Sequence, residues 1–182
     1  MHIIHTQRLT LQPFRLDDLD ALAEINGDAQ VMRYIGDGAP ASRERTAERL
    51  NFIIEHGRRY GFSVWAVRSR QTPSLIGFCG LIRLDGTTEV EVGYRFAQAH
   101  WGKGFATESA RASLRYGFEE LALDRIVAVV QPENMASQRV LEKLGFKYEK
   151  DARYYNTDVK YYAIAREAYE PDGSFYTCKT EA

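Results

Sequence analysis

This sequence of 182 residues has few cysteines and prolines and no excess of either charge. It has two cysteines and five prolines, and 24 Lys and Arg residues face 25 Asp and Glu residues, for a net charge of -1. Cys79 and Cys178 lie far apart, so they suggest neither a zinc motif nor a disulfide framework. A general nucleic-acid binder normally carries a basic excess. We therefore expect no metal and no nucleic-acid partner.

Long apolar runs are also missing. No stretch approaches the roughly 20 apolar residues that span a bilayer, and the N-terminal segment lacks the basic and apolar regions of a signal peptide. Hydrophobic residues make up 45% and charged residues 27% of the chain, which is an ordinary globular balance. These features predict a cytoplasmic protein without a membrane partner. The length predicts a single domain over residues 1–182.

The pattern of apolar residues predicts one mixed α/β domain. Three apolar runs, at 62–67, 75–84 and 89–96, are separated by turn-forming residues, so we expect them to pair as an antiparallel meander. In the run 125–130 every residue after Arg125 is apolar, which is typical of a strand buried on both faces. Further strands are expected at 9–14 and, as a pair, between 146 and 169. Helical spacing predicts four helices, near 17–25, 42–59, 106–121 and 135–144.

The stretch that is most informative about chemistry is a strand that ends in a glycine-bearing loop and runs into a helix. The loop reads Trp101-Gly102-Lys103-Gly104-Phe105-Ala106. The unpaired N–H groups and the positive dipole end of such a helix converge on one point, which suits a phosphate. Gly102 and Gly104 let a ligand approach the backbone, and Lys103 adds positive charge. The alternative is a tight turn that needs glycine only for backbone freedom. The loop matches neither a Walker A sequence nor the three-glycine dinucleotide fingerprint.

This strand, loop and helix resemble the central motif of the GNAT acetyltransferase superfamily, whose loop pattern is Gln/Arg-x-x-Gly-x-Gly/Ala. Gly104 and Ala106 fill the last two defined positions, while Trp101 replaces the usual Gln or Arg. Several further segments, in order, resemble the RimJ/RimL-like branch, where Trp-Gly-Lys-Gly is a common variant. These segments are 6–14, 91–94, 134–137, 142–146 and 162–167. The resemblance therefore extends over nearly the whole chain.

The resemblance implies the GNAT fold and its cosubstrate, acetyl-CoA, with no metal. The sheet would be mixed and mostly antiparallel, with about seven strands, splayed parallel strands 4 and 5 (89–96 and 125–130) and about four flanking helices. The pantetheine arm would lie between these two strands, against the backbone of 94–96, and the backbone of 102–107 would hold the phosphates. The cofactor-binding residues carried over are Tyr94, Arg95, Phe96, Trp101, Gly102, Lys103, Gly104, Phe105, Ala106, Thr107 and Asn134. For Asn134, a plain helix N-cap is the alternative.

The reaction implied is direct attack of an amine nitrogen on the thioester carbonyl in a ternary complex. An α-amine, with a pKa of about 8, is partly neutral near pH 7, whereas a lysine amine at about 10.4 needs a real base. Glu91 is the preferred base, acting directly or through water, and on an alternating strand it shares a face with Glu89 and Gly93. A strand carboxylate paired with an arginine is the alternative interpretation of Glu91.

The group that assists the departing thiolate differs from the common family pattern. Many members place a tyrosine acid in the last helix, where this sequence has Leu141. Ser137 is the nearest substitute, although a serine also suits the first turn of a helix. Glu108 and His100 are left outside the catalytic set, because Glu108 suits the first turn of its helix and one histidine beside a loop is weak support.

The acceptor expected by resemblance is a primary amine, such as a protein N-terminal α-amine. A small-molecule amine (a polyamine, an amino acid or an aminoglycoside) is the alternative. The segment 31–59 would form the acceptor side, but its Asp37, Glu44 and several arginines give no charge preference. A module that senses acetyl-CoA without turnover is a different class of protein. This alternative stays open because Leu141 and Trp101 replace residues that are usual in the family. The sequence also leaves a homodimer open.

Overall fold

A computed structural model describes residues 2–180 of the chain. Its strands are β1 (His2–Thr6), β2 (Leu9–Gln12), β3 (Val64–Ser69), β4 (Leu75–Arg83), β5 (Val90–Phe96), β6 (Arg125–Val130), β7 (Lys147–Tyr154), β8 (Thr157–Ala165) and β9 (Tyr176–Thr180). Its α-helices are α1 (Leu19–Asn26), α2 (Ala29–Met32), α3 (Arg43–Tyr60), α4 (Phe105–Arg115) and α5 (Met135–Lys143). Met1, Glu181 and Ala182, which the expected domain 1–182 includes, lie outside the described residues.

The strands form one mixed sheet in the order β7-β8-β6-β5-β4-β3-β2-β1-β9. The predicted meander is confirmed, because β3 pairs with β4 and β4 with β5, both antiparallel. The expected count of about seven strands is too low, since the described residues contain nine. The two additional strands are β1 and β9, which pair with each other along five residues at one end of the sheet. The short helix α2 was also not predicted.

Apolar residues cover both faces of the sheet. On one face, Trp65 and Leu81 belong to a large core that includes Ala110 and Leu114 of α4. On the other face, strand residues such as Phe78 and Ile82 form a second core whose helical members are Leu22, Leu50 and Ile53. Alternate residues of each central strand therefore point towards opposite helix layers. No helix within residues 2–180 is both long and apolar enough to cross a membrane.

The neighbouring strands β5 and β6 are parallel and part from each other. Their register places Glu91 opposite Val127. In contrast, β5 is paired with β4 from Val90 to Phe96, and β6 is paired with β8 along its whole length. The two strands thus diverge beyond Glu91 and leave a gap, which is the splayed parallel pair expected from the sequence.

Candidate functional site

The loop between β5 and α4 is held in a compact turn that leaves its backbone donors free. Gly102 and Gly104 have positive φ angles of 71° and 80°, a conformation that favours glycine. The indole Nε1 of Trp101 donates to the carbonyl oxygen of Phe96 at 2.8 Å, which closes the loop onto the end of β5. Within residues 2–180, no backbone N–H from residue 102 to residue 107 has an acceptor. These donors surround the N-terminus of α4, where the helix dipole adds positive potential.

Arg8, at the turn between β1 and β2, contacts the same loop. Its Nη1 donates to the carbonyl oxygen of Lys103 at 2.9 Å, and its Nε donates to Oε2 of Glu108 at 2.6 Å. The other carboxylate oxygen of Glu108 accepts hydrogen bonds from the Thr6 hydroxyl and the Arg8 backbone. Glu108 therefore fastens the first turn of α4 to the β1–β2 turn, and Arg8 adds a second positive charge beside Lys103. Arg8 was not among the residues proposed from the sequence.

The predicted base, Glu91, lies on the face of β5 that is turned towards α3. Its side chain is 7% exposed. Burial raises the pKa of this carboxyl to about 7, although the hydroxyl of Tyr155, which donates to Oε1, and the charge of Arg49 both act to lower it. A carboxyl with this pKa is partly ionised near neutral pH. It can therefore accept a proton there and release it again.

Tyr155 reaches Glu91 because of an unusual turn. The hairpin between β7 and β8 pairs Tyr154 with Thr157, so only Tyr155 and Asn156 form the loop. Both have positive φ angles, 53° and 58°, as in type I′ turns, which usually place Asn-Gly or Gly-Gly at these positions. A bulky aromatic residue with positive φ is uncommon. Tyr155 was not among the residues proposed from the sequence.

The space over Gly93, the next residue on this face of β5 after Glu91, is open. A Cβ atom built at Gly93 would have no neighbour within 4 Å. The carbonyl oxygen of Gly36 accepts hydrogen bonds from Gln131 Nε2 at 3.1 Å and from the Thr157 hydroxyl at 3.3 Å. These two hydrogen bonds tie the loop after α2 to the end of β6 and to the start of β8.

On the opposite face of β5, Tyr94 contacts the other predicted catalytic residue, Ser137. The two hydroxyl oxygens are 2.8 Å apart, and the Tyr94 hydroxyl also lies 3.2 Å from the carbonyl oxygen of Ser137. Burial raises the pKa of the Tyr94 phenol. Asn134 is the N-cap of α5 and accepts a hydrogen bond from the Ser137 N–H at 3.1 Å. Leu141 is 1% exposed and belongs to the core, so it offers no polar group here.

The remaining predicted residues lie around the loop and the end of β5. Phe96 is buried, Lys103 is exposed, and the ring of Phe105 lies under the Arg8 guanidinium at 4.8 Å. Arg95 faces the α3 side with Glu91, and its Nη1 donates to Oδ1 of Asn26 at 2.5 Å. In residues 2–180 no group of three or more His, Cys, Asp or Glu side chains is placed to hold a metal ion.

Comparison with known proteins points to one family. A family model described as "Acetyltransferase (GNAT) domain" matches residues 8–147. The uncharacterized N-acetyltransferase p20 of Bacillus licheniformis is 35% identical over 153 residues, which cover 82% of this chain and 84% of p20. A solved GNAT-family acetyltransferase from Bacillus anthracis has a TM-score of 0.78 and 33% identity, covering 91% of this chain and 99% of its own.

A more distant structure shares the fold. RimL, described as a ribosomal L7/L12 alpha-N-protein acetyltransferase in complex with coenzyme A, has a TM-score of 0.77 and 18% identity. The match covers 91% of this chain and 99% of RimL.

Proposed function

This chain belongs to the GNAT acetyltransferase family and is an N-acetyltransferase, and from that premise we propose that it moves an acetyl group from acetyl-CoA to a primary amine by direct attack in a ternary complex. The observation that carries this proposal is the set of unpaired N–H groups from 102 to 107, at the mouth of α4 and beside the point where β5 and β6 part. Use of acetyl-CoA is consistent with a cytoplasmic enzyme.

The loop has the chemistry that a diphosphate requires. Backbone N–H groups and a helix N-terminus stabilise a phosphate without any side chain. Arg8 and Lys103 add positive charge, and a Cβ at Gly102 would meet no protein atom within 4 Å, so a ligand has room there. RimL, of the same fold, was solved with coenzyme A. We assign the diphosphate of CoA to this loop.

The gap between β5 and β6 suits an extended pantetheine arm. Beyond Glu91, the edge of β5 that faces β6 has no strand partner among the described residues 2–180, whereas its other edge is paired with β4 as far as Phe96. The arm carries amide groups that can complete the hydrogen bonds of such an edge. Asn134, which uses its side-chain oxygen to cap α5, keeps an amide nitrogen that can donate to the arm.

Glu91 is the proposed general base. The bound thioester supplies the acetyl group, and Glu91 accepts the proton that the amine loses, directly or through one water molecule. A base is most effective when its pKa is near the working pH, and the pKa of Glu91 is about 7. Tyr155 holds the carboxylate at the closed end of the gap, next to the open floor at Gly93.

Ser137 and Tyr94 are the proposed partners of the departing thiolate. The Tyr94 hydroxyl can donate to either oxygen of Ser137, which leaves the Ser137 hydroxyl free to donate outwards. A thiol with a pKa of about 8.5 needs only modest help to leave. This pair would take the place of the tyrosine that is usual in the last helix.

A thiol-release assay with a panel of amines, peptides and aminoglycosides tests the proposal. Acetyl-CoA should raise the melting temperature, as any ligand of the folded state does. With a suitable amine, the protein should also release free thiol. A thermal shift without thiol release for any amine would support a non-catalytic sensor of acetyl-CoA instead, and the absence of both effects would exclude either function.

A further inference from the structure

Two arginines on the α3 side of β5 have no carboxylate partner at ion-pair distance among the described residues. Ten of the 18 arginines have such a partner; for example, Arg43 contacts Asp20 at 2.7 Å and Arg125 contacts Glu149 at 2.5 Å. Among residues 2–180, neither Arg49 nor Arg95 makes such a contact. Both lie on the side of β5 where Glu91 is found, so their charges act on the space that the acceptor would enter.

Arg95 is fixed in place but incompletely satisfied. Its Nη1 donates to Asn26, and its guanidinium lies 5.2 Å from the centre of the Phe78 ring. Its Nε is buried and has no hydrogen-bond partner among the described residues. A buried guanidinium N–H without an acceptor is costly, and burial together with the charge of Arg49 lowers the pKa of Arg95 to about 10. The side chain is therefore held rigidly with an unused donor.

Arg49, on α3, is close enough to act electrostatically on both Arg95 and the proposed base. Its side chain is exposed to solvent, yet the surrounding protein desolvates it enough to lower its pKa. Its guanidinium lies 5.0 Å from the centre of the Phe52 ring. The charge of Arg49 lowers the pKa of Glu91 on one side and that of Arg95 on the other. The two guanidinium groups are thus close enough to repel each other.

The acidic residues of the segment 31–59 do not neutralise this pair. Asp37 accepts a hydrogen bond from the Ala39 N–H at 3.2 Å and lies 3.9 Å from Arg45. Glu44 is exposed in the first turn of α3, where free helical N–H groups stabilise its charge. Glu55 pairs with Arg58, and within residues 2–180 no carboxylate of the segment 31–59 lies at ion-pair distance from Arg49 or Arg95.

We propose that Arg49 and Arg95 bind a carboxylate of the acceptor and so present its amine to Glu91. This inference rests on the proposed transfer reaction. Residues 91 and 95 are separated by four positions, or about 13 Å along a strand, so the carboxylate must lie several bonds from the amine. The acceptor is then an amine with an acidic side chain or a distant terminal carboxylate. Polyamines and aminoglycosides, which carry only positive charge, would be repelled.

The test compares matched acceptors. One set consists of short peptide amides with a free N-terminus and glutamate, glutamine or lysine at the second position, and the other set is free glutamate and free glutamine. Thiol release gives kcat/KM for each acceptor at saturating acetyl-CoA, and calorimetry gives its Kd for the CoA-loaded protein. The variants are Arg49→Gln and Arg49→Lys, with Arg43→Gln as the control, because Arg43 lies on the same helix but pairs with Asp20 on the surface.

We expect kcat/KM for the acidic acceptor to exceed that for its neutral counterpart by about tenfold or more, because charge-assisted hydrogen bonds are strong. The preference for the acidic acceptor should be mostly lost in Arg49→Gln, partly retained in Arg49→Lys and fully retained in Arg43→Gln. Equal values for acidic and neutral acceptors in the unchanged protein, or a ratio that survives in Arg49→Gln, would overturn the inference. A preference within the peptide set or within the free amino acids supports it equally and identifies the source of the carboxylate.

The two measurements also separate this inference from the proposed reaction. Acid-selective binding that depends on Arg49, without thiol release, would support the carboxylate subsite and contradict acetyl transfer. Thiol release that is indifferent to the acceptor's charge would support acetyl transfer and contradict the subsite.

Discussion

The hydroxyl of Tyr155 donates a hydrogen bond to the carboxylate of Glu91, although the two residues are 64 positions apart in the chain. Tyr155 occupies a turn position with positive φ, and Glu91 is a buried carboxylate in the middle of the sheet. Each feature is unfavourable for stability by itself. Together they hold one ionisable group beside the open space over Gly93, and this combination is typical of a catalytic site.

Replacing Glu91 with Gln should slow transfer most at pH values above 7. The ionised carboxylate is available only above its pKa of about 7, so the kcat/KM of the unchanged enzyme should rise through that pH. In Glu91→Gln, kcat/KM should fall about 100-fold, the usual contribution of a general base, and its rise with pH through about 7 should disappear. The measurement is kcat/KM from pH 5.5 to 9 with one α-amine acceptor. An unaltered profile in the variant would remove Glu91 as the base.

The same substitution should stabilise the fold at alkaline pH. Burial raises the pKa of Glu91 from 4.5 to about 7, so the stability linked to its protonated form is complete below pH 4.5 and is lost as the pH rises through about 7. This shift corresponds to about 3 kcal/mol, at about 1.4 kcal/mol per unit. The free energy of unfolding of Glu91→Gln in urea should exceed that of the unchanged protein by about this amount at pH 9 and match it near pH 4. A less stable variant at pH 9 would contradict the assignment of a desolvated carboxylate.

Replacing Tyr155 with Phe should move the rise of kcat/KM with pH to higher pH values. The Tyr155 hydroxyl stabilises the ionised form of Glu91, so its removal leaves burial unopposed and raises the pKa of Glu91 further. We expect a shift of about one unit, the effect of one hydrogen bond to a charged group. Tyr154→Phe is the control, since Tyr154 is adjacent in the hairpin and packs near the Tyr161 ring instead. If both variants gave the same profile, Tyr155 would have no part in positioning the base.

Ser137 and Tyr94 should act as one unit. Their hydroxyl oxygens are 2.8 Å apart, so removal of either should interrupt the same path to the thiolate. We expect Ser137→Ala and Tyr94→Phe each to lower kcat about tenfold, and the double variant to lose little more than the larger single effect. The affinity for CoA should change little. Additive losses in steady-state kcat would mean that the two hydroxyls act independently.

Much of the fold follows from local pattern. The run 125–130 coincides with β6, because a strand buried on both faces is apolar without interruption. The strand-loop-helix at 90–115 is likewise encoded by apolar alternation, two glycines and a helical stripe. In contrast, β9 is half polar and forms because it pairs with β1 from the far end of the chain. A strand that depends on such distant pairing leaves little local signal.

The residues of the candidate site also fall into those with a local sequence signal and those without one. Glu91, Ser137 and the loop could be proposed from the sequence because they belong to contiguous motifs. Arg8, Tyr155 and Arg49 could not, because each acquires its partner only through the fold: Arg8, for instance, contacts Glu108 across 100 positions. No spacing rule in a single sequence connects such residues.

The backbone amides at the start of α4 are proposed to hold the diphosphate of CoA, and a calorimetric titration of CoA into two glycine variants measures this role. Gly104 and Gly61 have nearly equal positive φ angles, 80° and 79°, so valine should strain the backbone similarly at both, but Gly61 ends α3 away from the loop. Gly61→Val should bind CoA as the unchanged protein does, and Gly104→Val should bind at least about tenfold more weakly, since it disturbs several charge-assisted hydrogen bonds. Equal CoA affinity in the two variants would contradict the account.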